Sequence, residues 1–211
     1  DRLSNGRLLL IAVLGLPDDG EVAAQGVERS TRGAMMDEMV PLLRRLWAGE
    51  TITHAGKHYE LLDASIDPLP IQEPLELWFG GAIPSALKRV GRLGDGYIPG
   101  LSTPQEGAEK KLAVQDAAQE FNRTVDPEHF GVNLSYSRGP LSSAARDALT
   151  QRRPDVDPEN LIPTSAASLN ETIDAWIEAG YSKFLLRPVE APADWSHELE
   201  QLASEVLDRQ T

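Results

Sequence analysis

Residues 75–99 read LELWFGGAIPSALKRVGRLGDGYIP, and the order of segments within this stretch decides the fold class. A short apolar run, 75–79, is followed by two glycines, by an amphipathic segment, 85–93, and by a second short run, 96–99. Short apolar runs on either side of a helical segment are typical of two parallel strands joined by a crossover helix. The stretch therefore predicts a strand–helix–strand unit of an α/β protein.

The same alternation continues in both directions along the chain. The predicted strands are 8–14, 75–79, 96–99, 130–136 and 183–189, and the first of them has the continuous apolar character of a strand buried on both faces. The predicted helices are 36–47, 85–93, 103–121, 168–180 and 195–206. We expect a hairpin around Gly56 and a polar excursion over 138–163. This order predicts one domain over residues 1–211 with a parallel sheet, either open and doubly wound or closed as an eight-stranded barrel.

Two helix starts carry a capping box. Thr103 and Glu106 have the required spacing, with proline between them, and Ser168 and Glu171 repeat it near the carboxyl end of the chain. In each box the hydroxyl and the carboxylate bind backbone amides at the two ends of the first turn. These positions therefore predict where the third and fourth crossover helices begin.

Composition limits the function classes. The chain has 33 acidic and 20 basic residues, a formal net charge of -13, which disfavours nucleic acid and anionic membrane surfaces as partners. Cysteine is absent, so neither disulfides nor thiolate metal sites are possible, and the longest apolar run is strand-sized. We therefore expect a cytoplasmic protein whose partners are neither nucleic acid nor membrane.

Motifs for several other chemistries do not occur. The pair His54 and His58 has the spacing of a helical metal site, but Gly56 between them indicates an extended segment, so no metal site is predicted. The signatures of zinc proteases, serine hydrolases and P-loop enzymes are missing from the sequence. Asp95, between two glycines, is typical of a helix stop and turn rather than of a dinucleotide fingerprint.

Candidate site residues lie where predicted strands end. Gly80 and Gly81 separate a strand from a helix with Pro84 in its first turn, an arrangement that lets backbone amides bind an anion; a tight turn without a ligand is the alternative. Arg187 lies towards the end of the last predicted strand, and Tyr136 lies near the end of the strand before it. In a barrel these ends face the active site, although rim ion pairs and core packing explain them equally well.

The motifs, taken in order, resemble the luciferase-like monooxygenase superfamily. The resemblance rests on Leu77 to Gly81, the twelve residues that follow, and then Gly94 to Pro99; residues 1–7 before the first strand and Gly56 to Tyr59 agree with it. It implies an eight-stranded TIM barrel whose fourth strand follows residue 7. On this interpretation the chain carries strands four to eight of the barrel and lacks strands one to three.

The resemblance also implies a function. We expect FMN or, slightly favoured, the deazaflavin coenzyme F-420, with its phosphate bound by the backbone amides of Gly80, Gly81, Ala82 and Ile83. An apolar residue at position 83 leaves that phosphate to backbone amides alone. Gly15, Tyr136 and Arg187 are then substrate or rim candidates, and no residue is assigned as catalytic acid or base.

The resulting hypothesis is a flavin- or deazaflavin-dependent oxidoreductase or monooxygenase. It would act on a small organic substrate by hydride transfer or oxygen activation, as a homodimer. The alternative is a non-catalytic flavin-binding or interaction protein built on a reduced barrel.

Overall fold

The structure, a computed structural model, describes residues 1–15, 20, 24 and 26–209. Its strands are β1 (Leu10–Ala12), β2 (Ile52–Ala55), β3 (Glu60–Ala64), β4 (Leu77–Gly80), β5 (Gly96–Ile98), β6 (Gly131–Tyr136) and β7 (Lys183–Pro188). Its helices are α1 (Arg29–Trp47), α2 (Pro84–Leu93), α3 (Pro104–Glu120), α4 (Ser143–Arg152), α5 (Ala166–Glu178) and α6 (Trp195–Val206). The predicted alternation of strands and helices is confirmed in this part of the chain.

The chain divides into two compact units. The first comprises Asp1–Ile98 and Ala113–Asp126, and the second comprises Pro99–Leu112 and Pro127–Thr211. Helix α3 supplies residues to both. Among the described residues, no helix has the length and apolar character needed to cross a lipid bilayer.

The first unit contains a three-stranded parallel sheet in the order β1-β4-β5. Strand β4 is central, and its residues Leu77, Trp78 and Phe79 are at most 4% exposed. Helix α2 packs closely on α3. Glycine at position 91 permits this approach, since a Cβ there would lie 2.5 Å from the backbone nitrogen of Ala118. The predicted hairpin around Gly56 is confirmed as the antiparallel pair β2 and β3.

The prediction that the first strand is buried on both faces is wrong for the described structure. Strand β1 has three residues, and Leu9, Ile11 and Val13 on its alternate positions are 43–60% exposed. The strand pairs with β4 along one edge, and the side chains of this face stay exposed in the described structure. A continuous apolar run specifies an extended segment, but the burial of each face depends on what packs against it.

The second unit contains the parallel pair β6 and β7, in register from Gly131 with Lys183 to Tyr136 with Pro188. Trp176 and Tyr181 are buried beside this pair with their rings edge to face, 4.8 Å apart. The alternation of exposure along β7 is complete, residue by residue, so the two faces of this small sheet have different environments.

Two predictions in this unit need correction. Residues 138–163 include helix α4, whose lack of buried side chains explains why no apolar periodicity marks it. The second capping box consists of Ser165 and Ser168 rather than Ser168 and Glu171, because the Ser168 hydroxyl accepts the Ser165 amide at 3.0 Å. A serine can thus fill the third position of the box, which moves the helix start three residues upstream. The box at Thr103 and Glu106 is confirmed.

Candidate functional site

The junction between β4 and α2 brings together the four residues predicted to bind a phosphate. Gly80 is the last residue of β4, and Gly81 has a positive φ of 134°. The hydroxyl of Tyr97 on β5 donates to the carbonyl oxygen of Gly81 at 2.6 Å. Burial raises the pKa of Tyr97, so the hydroxyl keeps its proton and fixes the turn.

Both glycines are required by the turn itself. A Cβ on Gly80 would lie 2.8 Å from Cγ1 of Val13, and a Cβ on Gly81 would lie 2.7 Å from the Cβ of Ala86. The steric requirement for glycine therefore accounts for the tight turn. The same close turn exposes the backbone of the residues that follow.

The first turn of α2 lacks a side-chain cap. Ile83 occupies the N-cap position with extended backbone, its side chain cannot accept a hydrogen bond, and it is 63% exposed. Its carbonyl oxygen accepts the amides of Ala86 at 2.9 Å and Leu87 at 3.1 Å. Pro84 has no amide hydrogen, so the donors at this end are those of exposed Ala82, Ile83 and Ser85. Such a helix start can bind an anion through its amides and its partial positive charge.

Asp95 has a larger role than the predicted turn. Its carboxylate accepts the backbone amide of Leu77 at 2.9 Å and Nη2 of Arg44 at 2.8 Å, and lies 3.6 Å from Nη2 of Arg123. The contact with Leu77 is at the amino end of β4, opposite to the glycine pair. Asp95 therefore holds the sheet together and does not belong to the candidate site.

Gly15 follows β1 and has a positive φ of 78°. The carbonyl oxygen of Leu14 before it accepts Nη1 of Arg32 at 2.9 Å. Arg32 is 8% exposed, and its Nε and Nη2 have no hydrogen-bond partner within the described ranges. Residues 16–19, which follow Gly15, lie outside the described part of the chain.

Tyr136 and Arg187, predicted together, lie on opposite faces of the β6–β7 pair. Tyr136 is 2% exposed, and its hydroxyl donates to Glu198 of α6 at 2.7 Å. Burial, and then the carboxylate of Glu198, raises the pKa of Tyr136 to about 12. The guanidinium of Arg138 donates to the same carboxylate oxygen at 2.7 and 2.9 Å and lowers the pKa of Glu198. Tyr136 is thus engaged with a helix, whereas Arg187 is exposed.

Two residues near Arg187 were not predicted from the sequence. Ser135 is its register partner on β6, and Asn133 is two positions earlier on the same face. The signal was present, because side chains two apart on a strand share a face. Using that signal required the register of β6 with β7, which the sequence does not contain.

The histidine pair lies on the hairpin. Nε2 of His54 is 3.0 Å from Oε1 of Glu38, and the carboxylate of Glu38 also accepts the amides of His58 and Tyr59 at 3.0 and 3.1 Å. Among the described residues no group of three or more His, Cys, Asp and Glu side chains could hold a metal ion.

Comparison with known sequences gives one family. The family model described as luciferase-like monooxygenase matches residues 1–190. An F420-dependent glucose-6-phosphate dehydrogenase of Beutenbergia cavernae is 27% identical over 238 positions, covering 98% of this chain and 67% of the relative. A protein of the same name from Amycolatopsis mediterranei is 33% identical over 143 positions, covering 64% of this chain and 42% of the relative. The chain thus spans two thirds or less of these curated relatives.

Comparison with solved structures gives the fold. An F420-dependent secondary alcohol dehydrogenase in complex with an F420-acetone adduct has a TM-score of 0.74 at 19% identity, over 99% of this chain and 70% of its own. A coenzyme F420-dependent tetrahydromethanopterin reductase from Methanopyrus kandleri has a TM-score of 0.74 at 14% identity, over 99% and 76%. The monooxygenase RslO1 from Streptomyces bottropensis scores 0.72 at 17% identity, over 100% and 71%. The α/β architecture is therefore shared with luciferase-like barrel enzymes.

Proposed function

The chain belongs to the luciferase-like monooxygenase family, and from this membership we propose that the protein is an oxidoreductase that uses coenzyme F420 or FMN on a small organic substrate. F420 is favoured, since both curated relatives are named as F420-dependent enzymes. The observation that carries the proposal is the uncapped start of α2 after Gly80 and Gly81, at the carboxyl end of a central parallel strand.

The residues at this turn fit the phosphate of such a cofactor. The amides of Ala82, Ile83 and Ser85 would donate to the phosphate oxygens, and no acidic side chain occupies the first turn of α2. Tyr97 holds the carbonyl of Gly81 and so keeps the turn in one conformation. The bound cofactor would supply the redox chemistry, by hydride transfer or by reaction of its reduced form with oxygen.

The remaining parts of the proposal concern the whole protein. The five parallel strands correspond to strands four to eight of an eight-stranded barrel, a fold whose active sites lie at the carboxyl ends of the strands. The protein acts in the cytoplasm as a homodimer. No acid or base is assigned, and Gly15 and Arg187 remain the proposed rim residues.

Cofactor titration tests the proposal. We expect F420, or failing that FMN, to bind the protein with a change in cofactor fluorescence. Ile83→Asp should weaken binding by at least about tenfold, because its carboxylate both caps the helix amides and repels the phosphate. Ile83→Asn supplies a similar cap without the charge and should weaken binding less.

Two results would overturn the proposal. One is a protein that binds neither cofactor while its circular dichroism shows it folded. The other is an Ile83→Asp variant with wild-type affinity, which would show that the cofactor phosphate does not bind at this turn.

A further inference from the structure

The β6–β7 pair has one face that helices cover and one that no helix of the described residues covers. Phe184 and Leu186 of β7 line a groove with residues of α5 and α6, and Tyr136 of β6 contacts Glu198 of α6. The intervening residues Asn133, Ser135, Leu185 and Arg187 share the opposite side, here called the open face.

The open face combines polar, apolar and cationic groups. Leu185 at its centre is 61% exposed, which is high for a strand residue next to a paired neighbour. Asn133 and Arg187 are exposed as well, and Ser135 is half-buried. Ser135 and Arg187 are register partners, so their Cα atoms lie about 5 Å apart at the carboxyl ends of the two strands. The face presents a hydroxyl and a guanidinium beside an uncovered apolar side chain.

Arg187 differs from the paired cations of this unit in having no side-chain partner. Arg138 and Arg153 each contact two carboxylates, and Lys183 at the amino end of β7 pairs with Glu128 at 3.3 Å. The side chain of Arg187 makes no hydrogen bond or ion pair with any residue in the described ranges. In a chain of net charge -13, an exposed guanidinium without a carboxylate partner is available to an external anion.

We propose that the open face recognises the anionic group of an amphipathic small substrate. Arg187 binds the carboxylate or phosphate of that substrate in a bidentate manner, the hydroxyl of Ser135 donates a further hydrogen bond, and Leu185 contacts the apolar body. The inference names the substrate class of the proposed oxidoreductase and to that extent rests on the proposed function.

Titration with model anions tests the inference. The probes are hexanoate and hexyl phosphate, which differ in the anionic group, with hexan-1-ol as the neutral analogue and inorganic phosphate as the anion without an apolar body. Affinities are measured by calorimetry, and the contact surface by amide chemical shifts in NMR spectra. We expect one of the two amphipathic anions to bind more tightly than the alcohol and than inorganic phosphate, with shifts at Ser135, Leu185 and Arg187.

Substitutions test whether the guanidinium of Arg187, rather than positive charge in general, binds the anion. Arg187→Met should weaken binding of the preferred anion by about tenfold, Arg187→Lys by less, and Leu185→Asn should reduce its preference over inorganic phosphate. Arg152→Met is the matched control, since Arg152 is also exposed and unpaired among the described residues. Equal loss in the two arginine-to-methionine variants, or equal affinity for hexan-1-ol and both anions, would overturn the inference.

Cofactor binding distinguishes the two proposals. If F420 and FMN both fail to bind while the anion binds through Arg187, the proposed redox function fails and the anion site stands. If a cofactor binds while no anion binds at the open face, the inference fails and the redox function stands.

Discussion

Asp95 connects three parts of the first unit through one carboxylate. It accepts the amide that begins β4 and it pairs with Arg44 of α1 and with Arg123, which follows α3. The two guanidiniums also donate to backbone carbonyls, Arg44 to that of Leu93 and Arg123 to those of Gly91 and Gly94. Removing the carboxylate would leave the Leu77 amide without this acceptor and two partly buried guanidiniums without their counter-charge, which costs more than the hydrogen bonds themselves contribute.

We therefore expect Asp95→Ala to lower the free energy of unfolding by about 3 kcal/mol. Asp95→Asn should lower it by about half as much, because its amide oxygen can still accept from Leu77. Urea unfolding followed by circular dichroism measures both. Asp116→Ala on the exposed side of α3 is the control, and an Asp95→Ala variant as stable as that control would contradict the prediction.

Glu38 joins helix α1 to the hairpin. Its carboxylate occupies the space where a side chain at residue 56 would project, so a Cβ on Gly56 would overlap Oε1 of Glu38 and Nε2 of His54. The hydrogen bond with His54, and then those from the amides of Tyr59 and His58, hold the pKa of Glu38 below its ordinary 4.5. Because folding favours the ionised carboxylate, this contribution to stability is complete above about pH 4.5 and is lost as the pH falls through the lower pKa of the folded state.

We expect Glu38→Gln to lower the melting temperature at pH 7 by roughly 2–4 °C. The difference from the wild type should shrink progressively below pH 4.5, because there the wild-type carboxylate also loses its charge. Differential scanning calorimetry between pH 3 and pH 7 measures the effect. Glu60→Gln on β3, whose carboxylate is exposed, should show no such pH-dependent difference, and a difference for Glu38→Gln that is constant with pH would refute the ionic explanation.

At the scale of elements, the sequence predicted the positions of strands and helices better than the burial of their side chains. The capping box at Thr103 and Glu106 was predicted correctly because both partners lie within one turn, so the local sequence contains the whole interaction. The exposure of Ile11 could not be predicted, because burial of a strand face depends on distant segments. Helix α4 was not predicted, for a related reason. None of its side chains is fully buried, so its sequence has no apolar period.

Close packing of α3 against α5 depends on a glycine. Gly107 lies in α3 where a Cβ would meet the ring of Trp176, 2.7 Å from Cη2, and Trp176 is 1% exposed. The hydroxyl of Tyr181 donates to the carbonyl of Gly107 at 3.0 Å and fixes the same contact. A buried indole cannot move aside as an exposed side chain can.

Gly107→Ala should therefore destabilise the protein by about 2 kcal/mol, even though alanine in a helix interior is favoured over glycine by about 1 kcal/mol. Gly33→Ala in α1 is the matched control, because the only atom that its Cβ would crowd is Nη2 at the end of the Arg89 side chain, while Leu14 would lie at ordinary contact distance. Thermal unfolding of both variants gives the comparison. A Gly107→Ala variant that is at least as stable as Gly33→Ala would mean that α3 does not approach Trp176 this closely.

At the scale of the whole molecule, the sequence located the ends of strands but not their faces. Gly80 to Ile83 were predicted as a group and lie in one turn, because their proximity follows from chain continuity alone. Tyr136 and Arg187 were also predicted as a group, yet they lie on opposite faces of their sheet. Which face each strand turns toward its helices is set by packing between segments distant in sequence, and that information is absent from local patterns.

The second unit has a groove lined by exposed apolar side chains. A groove of about 980 Å³ lies between α5, α6 and β7, with Ile177, Leu199 and Leu207 on its walls, and these three side chains are 47–57% exposed. Clustered apolar side chains with this exposure favour association of copies of the chain. The net charge of -13 opposes it at low ionic strength, and salt screens that repulsion.

We expect the 211-residue chain to associate as its concentration rises, and more strongly at 0.5 M than at 0.02 M NaCl, as measured by sedimentation velocity. Leu199→Gln should raise the dissociation constant by at least about tenfold, because burial of a leucine side chain contributes about 2 kcal/mol and the change is present in both copies. Leu62→Gln on β3 is the control, since Leu62 is 80% exposed but lies outside the groove. If Leu199→Gln and Leu62→Gln associate equally, the groove is not the surface through which copies meet. If the wild type stays monomeric at both salt concentrations, charge repulsion outweighs the attraction between the apolar side chains.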